Sequence, residues 1–138
     1  MALFRCASGG GGTTITETTI WTNPNPDTSF ASSNTNVTVS QNISNFDYIK
    51  VEYKDNYAQD TATYKKDFYI KVSDWMNPYT SGGTKTFGIY SYTNYAWCRQ
   101  FNYNAETTIT ISACYRLNNA SNNGNNAIPI CIKGVKVS

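Results

Sequence analysis

Nucleophilic catalysis of the serine- or cysteine-hydrolase kind needs a base beside the nucleophile, and this chain of 138 residues contains no histidine. Its four cysteines, Cys6, Cys98, Cys114 and Cys131, show no C-x-x-C spacing, so zinc would have to be held by thiolates and carboxylates far apart along the chain. For a cytosolically made protein the default is reduced thiols, with one disulfide among Cys98, Cys114 and Cys131 as the alternative. Paired carboxylates remain as a hydrolytic device. The nine acidic residues do not favour it. Glu52 alternates with Lys50 and Lys54, the pattern of a solvated strand face with cross-strand ion pairs. Asp55, Asp60, Asp67 and Asp74 lack the spacing of a calcium loop, and Gly9 to Gly12 precede neither a GK[ST] sequence nor a helix. No catalytic residue, metal ligand or cofactor is expected, and the chain reads as a binding or assembly protein.

Two groups of residues have binding chemistry. The first is aromatic. Between Thr84 and Tyr103, Tyr90 and Tyr92 share one strand face, while Tyr95, Trp97, Phe101 and Tyr103 share the other. One set fills a core or subunit interface; the other is suited to stacking on sugar rings or anchoring a protein partner, and Tyr90 and Tyr92 on one face and Trp97 on the other are the candidates. The second group is N-terminal. Leu3, Phe4 and Arg5 lie beyond Ala7-Ser8 and four consecutive glycines, which read as a flexible tether. Apolar residues at the end of a tether are built like a docking peptide, so residues 1–12 are expected to attach and 13–138 to form the folded domain.

The elements that must position the aromatic set are strands. Thr13 to Trp21 is β-branched and ends at the stiff Asn23-Pro24-Asn25-Pro26-Asp27 turn. Val37 and Val39 alternate with polar residues over 36–40; Ile49, Val51 and Tyr53 alternate with Lys50, Glu52 and Lys54; and Phe68, Ile70 and Val72 alternate over 67–72. A loop holding Trp75, Pro78 and Gly82-Gly83 leads to strands at 85–93 and 95–103. Glu106 to Tyr115 reads as one strand with Ile109, Ile111, Ala113 and Tyr115 together, and 118–126 as a polar loop. The last strand, Ile128 to Val137, changes phase after Ile132, which predicts a β-bulge at Gly134. With about eight strands and no sustained helical period, the fold class is all-β, an antiparallel β-sandwich of jelly-roll type.

The chain is 14% charged with a net charge of +2, too little to recruit nucleic acid or an anionic membrane by long-range attraction. Its surface is covered instead by Thr, Asn, Ser and Tyr. No apolar run approaches the length of a membrane span, and Met1 to Cys6 lack the apolar core of a signal peptide. Three N-x-[ST] matches, at Asn36, Asn42 and Asn119, are what chance supplies in an Asn- and Thr-rich chain.

The segment Thr18-Thr19-Ile20-Trp21-Thr22-Asn23-Pro24-Asn25-Pro26, leading into Ser29-Phe30-Ala31, is followed by Ser44-Asn45-Phe46-Asp47-Tyr48-Ile49 running on to Lys54. The chain closes with Ile128-Pro129, Ile132, Gly134 and Lys136. In these three segments it resembles small β-sandwich structural proteins from the virions of tailed bacteriophages of Gram-positive and gut bacteria. The resemblance implies a tail, fibre or capsid-associated component that meets other virion proteins through its N-terminal peptide. It also implies a homo-oligomer, with a trimer favoured, and location in the virion. A carbohydrate-binding module that recognises bacterial surface glycans is the alternative. The chain departs from the family in standing alone with its own peptide and glycine tether.

Overall fold

The computed structural model describes residues 12–76, 87–92, 95–117 and 122–138, and at 87, 88 and 90–92 the backbone alone. Its strands are β1 (Ile15–Thr22), β2 (Thr35–Thr38), β3 (Tyr48–Asn56), β4 (Lys66–Lys71), β5 (Phe87–Tyr92), β6 (Ala96–Ala105), β7 (Thr108–Ile111), β8 (Cys114–Arg116), β9 (Asn122–Asn123) and β10 (Asn126–Val137). They form two antiparallel sheets, β1-β10-β3-β4 and β2-β7-β6-β8-β9, with β5 on the remaining side of β6. The protein is an all-β sandwich. The crossing from β1 to β2 runs beside the return from β7 and β8 to β10, which rolls the two ends of the chain together as in a jelly roll. Inside that roll, β3–β4 and β5–β6–β7 are plain hairpins, each within one sheet.

Alternation builds the core as expected on most strands. Ile49, Val51, Ile70 and Ile132 of the first sheet and Ile89, Phe101, Ile109 and Ile111 of the second have no exposed surface and belong to one cluster. Each such side chain removed from water contributes about 1.5–3 kcal/mol. Trp75, expected in a loop, lies in a helical turn (α2, Val72–Trp75), where it is buried, donates Nε1–H to the Phe101 carbonyl at 3.2 Å and packs edge-on against Tyr103. A second helical turn (α1, Thr61–Tyr64) is capped by Asp60, whose carboxylate accepts from the Thr63 N–H and hydroxyl.

Three expectations fail for identifiable reasons. The strand expected over 106–115 is interrupted at Ser112 and Ala113. The Ser112 hydroxyl donates to the Ala113 carbonyl and accepts the Gln100 N–H, so two residues pass where one would fit. The phase flips, and Cys114 enters the core in place of Tyr115. There is no bulge at Gly134, which pairs in unbroken register with Thr18 on one side and Ile49 on the other. The register shifts lie between Thr19 and Trp21 in β1 and between Pro129 and Cys131 in β10. Finally, Glu52 and Lys54 are buried, although alternation places them on a solvated face. Lys54 Nζ is enclosed by Asp27 Oδ1 at 2.8 Å, the Gln59 carbonyl at 2.7 Å and Thr61 Oγ1 at 3.2 Å. All three ammonium hydrogens thus have acceptors, which is what makes the burial of a charge tolerable.

Candidate functional site

Strand β6 carries Trp97, Phe101 and Tyr103 of the aromatic residues singled out by sequence, and Arg99 sits among them at the same parity. It is fully buried. Its Nε donates to the Ala127 carbonyl at 2.8 Å; Nη1 donates to Ala31 and Ser112 at 2.9 and 2.8 Å; Nη2 donates to Phe30 and Asn126 at 2.7 and 3.1 Å. All five guanidinium hydrogens therefore end on backbone carbonyls, and the Phe30 ring lies 5.2 Å from the guanidinium carbon. Burial lowers its pKa to about 10, which leaves it charged at neutral pH. Ala31 and Ala127, whose carbonyls accept from Arg99 in this cage, have φ of 35° and 49°, in the left-handed region that alanine rarely adopts. Five charged hydrogen bonds offset that strain. The cage knits β6, the interruption between β7 and β8, the start of β10 and the 30–31 turn. Sequence reading passed over Arg99; an arginine in the middle of an otherwise aromatic strand face was the available signal.

The sequence-selected binding residues do not gather in one place. Leu3, Phe4 and Arg5 lie outside the described residues. Tyr90 and Tyr92 pair with Cys98 and Ala96, register positions alternate to those of Arg99 and Phe101. Trp97 packs against the core, as does Tyr103, and Phe101 is inside it. Just before β6, Tyr95 is 49% exposed, with the Arg116 guanidinium stacked 3.2 Å from its ring centroid, and Leu117, next to Arg116 in sequence, is 48% exposed. Elsewhere a recess of about 570 Å³ opens between Phe46, Tyr48, Val72, Met76 and Val137, with Ser44, Asp47, Lys71 and Ser73 completing its lining.

Several of the described titratable groups form ion pairs. On the outer face of the first sheet, Glu52 is held by Lys65 at 3.1 Å, Lys133 at 3.3 Å and the Cys131 thiol at 2.8 Å. Burial works against its ionisation, but the thiol and two ammonium groups prevail and hold its pKa down to about 2. Cys131 moves the other way: burial and the neighbouring carboxylate push it up to about 12, and burial pushes Cys114 up to about 11. Thiols so placed are protonated at neutral pH and poor nucleophiles. Cys98, Cys114 and Cys131 are all free and buried. Among the described residues no group of three or more Cys, Asp or Glu is placed to hold a metal, and no helix is long and apolar enough to cross a membrane.

Glu52 has a measurable consequence. Its folded pKa lies below its ordinary value of 4.5, so its contribution is complete above that pH and is lost as pH falls towards 2. A displacement of this size corresponds to about 3 kcal/mol. Denaturant unfolding measured from neutral to acid pH should show this loss, and the Glu52→Gln variant should lack that part of the slope. Equal slopes in the two proteins would remove Glu52 as the acid-sensitive group.

The three segments that carry the phage resemblance meet on β10. Asn23 donates its backbone N–H to the Ile130 carbonyl at 2.8 Å and its side-chain amide to the Pro129 carbonyl at 2.8 Å, while its Oδ1 accepts the Asn25 N–H. Trp21 and Phe30 stack edge-on at 6.0 Å. Asp47 donates its N–H to the Val135 carbonyl, and its carboxylate accepts the Val137 N–H at 2.8 Å, a bond that lowers its pKa. Phe46 lies directly over Gly134. No protein-family model matches the chain, and no curated protein matches it.

Proposed function

We propose that the chain is a structural component of a tailed-bacteriophage virion, attached through Leu3, Phe4 and Arg5 to other virion proteins and displaying its β-sandwich in several copies. The observation that carries this reading is the convergence just described. Of the three segments that resemble phage proteins, the closing one lies in β10, and the other two, far from it in sequence, each supply a joint to that strand. Residues that close a fold together are the ones a family of sandwiches would share, whatever varies on the surface between them. The surface chemistry agrees: with 14% of residues charged, the protein presents a largely neutral hydrogen-bonding exterior, suited to packing in an assembly.

The test is removal of residues 2–12. Particles assembled with the truncated protein should lack it, while the isolated truncated domain should keep the melting temperature of the parent. Full incorporation of the truncated protein would reject attachment through the peptide. The second reading, recognition of bacterial surface glycans, is favoured by the exposed Tyr95 ring backed by Arg116, since an aromatic face held rigid by a cation is a good platform for a sugar. Binding of the isolated domain to cell-wall glycans, abolished by Tyr95→Ala, Tyr90→Ala or Trp97→Ala without loss of fold, would establish it.

A further inference from the structure

The first sheet ends on one side at β1, and among the described residues that edge is open. Thr14 and Ser138 exchange backbone hydrogen bonds, so along the antiparallel ladder Thr14, Thr16 and Thr18 are the residues bonded to β10. The N–H and C=O groups of Ile15, Glu17 and Thr19 then point away from the sheet, and among the described residues no strand pairs with them. The edge closes at Ile20, whose carbonyl turns at the register shift to accept the Ser40 N–H.

Sheet edges are ordinarily guarded by lysine, proline, bulges or short length. The sheet's other edge, β4, has exposed Lys66, Asp67 and Lys71 and a helical turn at each end. Over Ile15 to Thr19, β1 has no proline, glycine or lysine, and Ile15 is 37% exposed. Its one charge, Glu17, is engaged by Lys50 at 3.1 Å and Lys133 at 3.8 Å. These belong to a network in which three carboxylates (Glu17, Glu52, Asp67) face three ammonium groups (Lys50, Lys65, Lys133), so the edge presents no net charge to repel its own kind.

We propose that this edge pairs with the same edge of a second copy, antiparallel about a two-fold axis at Glu17. Ile15 then lies opposite Thr19 of the second copy, Glu17 opposite Glu17, and Thr19 opposite Ile15. Each of these three pairs exchanges two backbone bonds, six in all, and joins the two four-stranded sheets into one of eight. The inference deepens the multiple-copy part of the proposed function, and it holds or fails on the purified protein without reference to any particle.

The test is sedimentation of the full-length protein over a range of concentrations, paired with amide hydrogen exchange. A monomer–dimer equilibrium is expected, with the Ile15, Glu17 and Thr19 amides becoming protected as the dimer forms. Thr19→Pro removes an outward N–H and Thr19→Lys adds a guarding charge; each should weaken the dimer about tenfold or more while leaving exchange in β10 and β3 unchanged. If Thr19→Pro disturbs the fold, Thr19→Lys carries the comparison. A protein that stays monomeric with these amides unprotected overturns the proposal. So does concentration-independent protection, which would mean that the chain's own N-terminal residues cover the edge, and so does a dimer indifferent to both substitutions. Failed incorporation of the truncated protein into particles, with the dimer intact, would bear on the virion reading alone.

Discussion

Replacing Arg99 by methionine is expected to leave no cooperatively folded domain under conditions where the parent is stable. Methionine fills most of the volume but donates nothing, so the carbonyls of Phe30, Ala31, Ser112, Asn126 and Ala127 lose their common partner at once. An orphaned buried acceptor costs about 1–3 kcal/mol. Several together approach the whole stability of a domain, about 5–15 kcal/mol. The strain at Ala31 and Ala127 loses its offset at the same time. Lysine is the informative second substitution. It keeps the charge but has three donors without the planar fork, so at least two carbonyls go unmet, and a loss of about 3–5 kcal/mol is expected. Denaturant unfolding followed by tryptophan fluorescence measures both variants. A midpoint for Arg99→Met close to that of the parent would show that water satisfies these carbonyls and that the guanidinium does not organise the loops.

The second large effect is expected at Gly134. A β-carbon there would be driven into the Phe46 ring. The backbone cannot retreat, because β1 holds it from one side and β3 from the other in unbroken register. Phe46 is itself buried against the core and tethered through Asp47, the next residue, to Val135 and Val137. Gly134→Ala should therefore cost about 3 kcal/mol, at the upper end for overpacking. The double-mutant cycle is more telling than the single variant. Phe46→Ala alone opens a cavity and costs about 3–5 kcal/mol. Combined with Gly134→Ala, the new methyl occupies part of that space, and the pair should be less destabilised than the sum by about 2 kcal/mol. Strict additivity would mean that the alanine is accommodated by backbone movement and that the ring does not require the glycine.

Much of this molecule was determined locally. The alternation of Ile49 with Val51 and of Ile109 with Ile111 admits little besides half-buried strands, because a period of two places such residues on one face wherever the strand lies. The proline-stiffened turn at 23–27 and the absence of any long helix are likewise readable residue by residue, and together they suffice for an all-β sandwich. Local pattern cannot tell which polar residues on an alternating strand meet solvent. Lys54 is at an outward position by period, yet the 57–61 segment and Asp27 fold over it and supply its acceptors. Cys114 reached the core through one serine hydroxyl that shifted the phase of its strand. Gly134 had the same ambiguity: a glycine in a strand signals either a bulge or a close approach, and the position of Phe46, 88 residues earlier, decided for the approach.

The binding residues divide in the same way. That this chain lacks the histidine-based routes of catalysis and has aromatic residues to spare is a property of its composition. Which aromatics face out was settled by the cross-strand partners of β6: Trp97 and Tyr103 lie against the core, Tyr95 is left outside on Arg116, and Arg99 is drawn inward by five carbonyls from three separate parts of the chain. The open edge of β1 is legible in sequence as a guardless Thr-rich strand, but its being an edge is a fact of strand order. A chain writes its alternation locally, whereas neighbours, edges and buried charges exist only once distant segments have met.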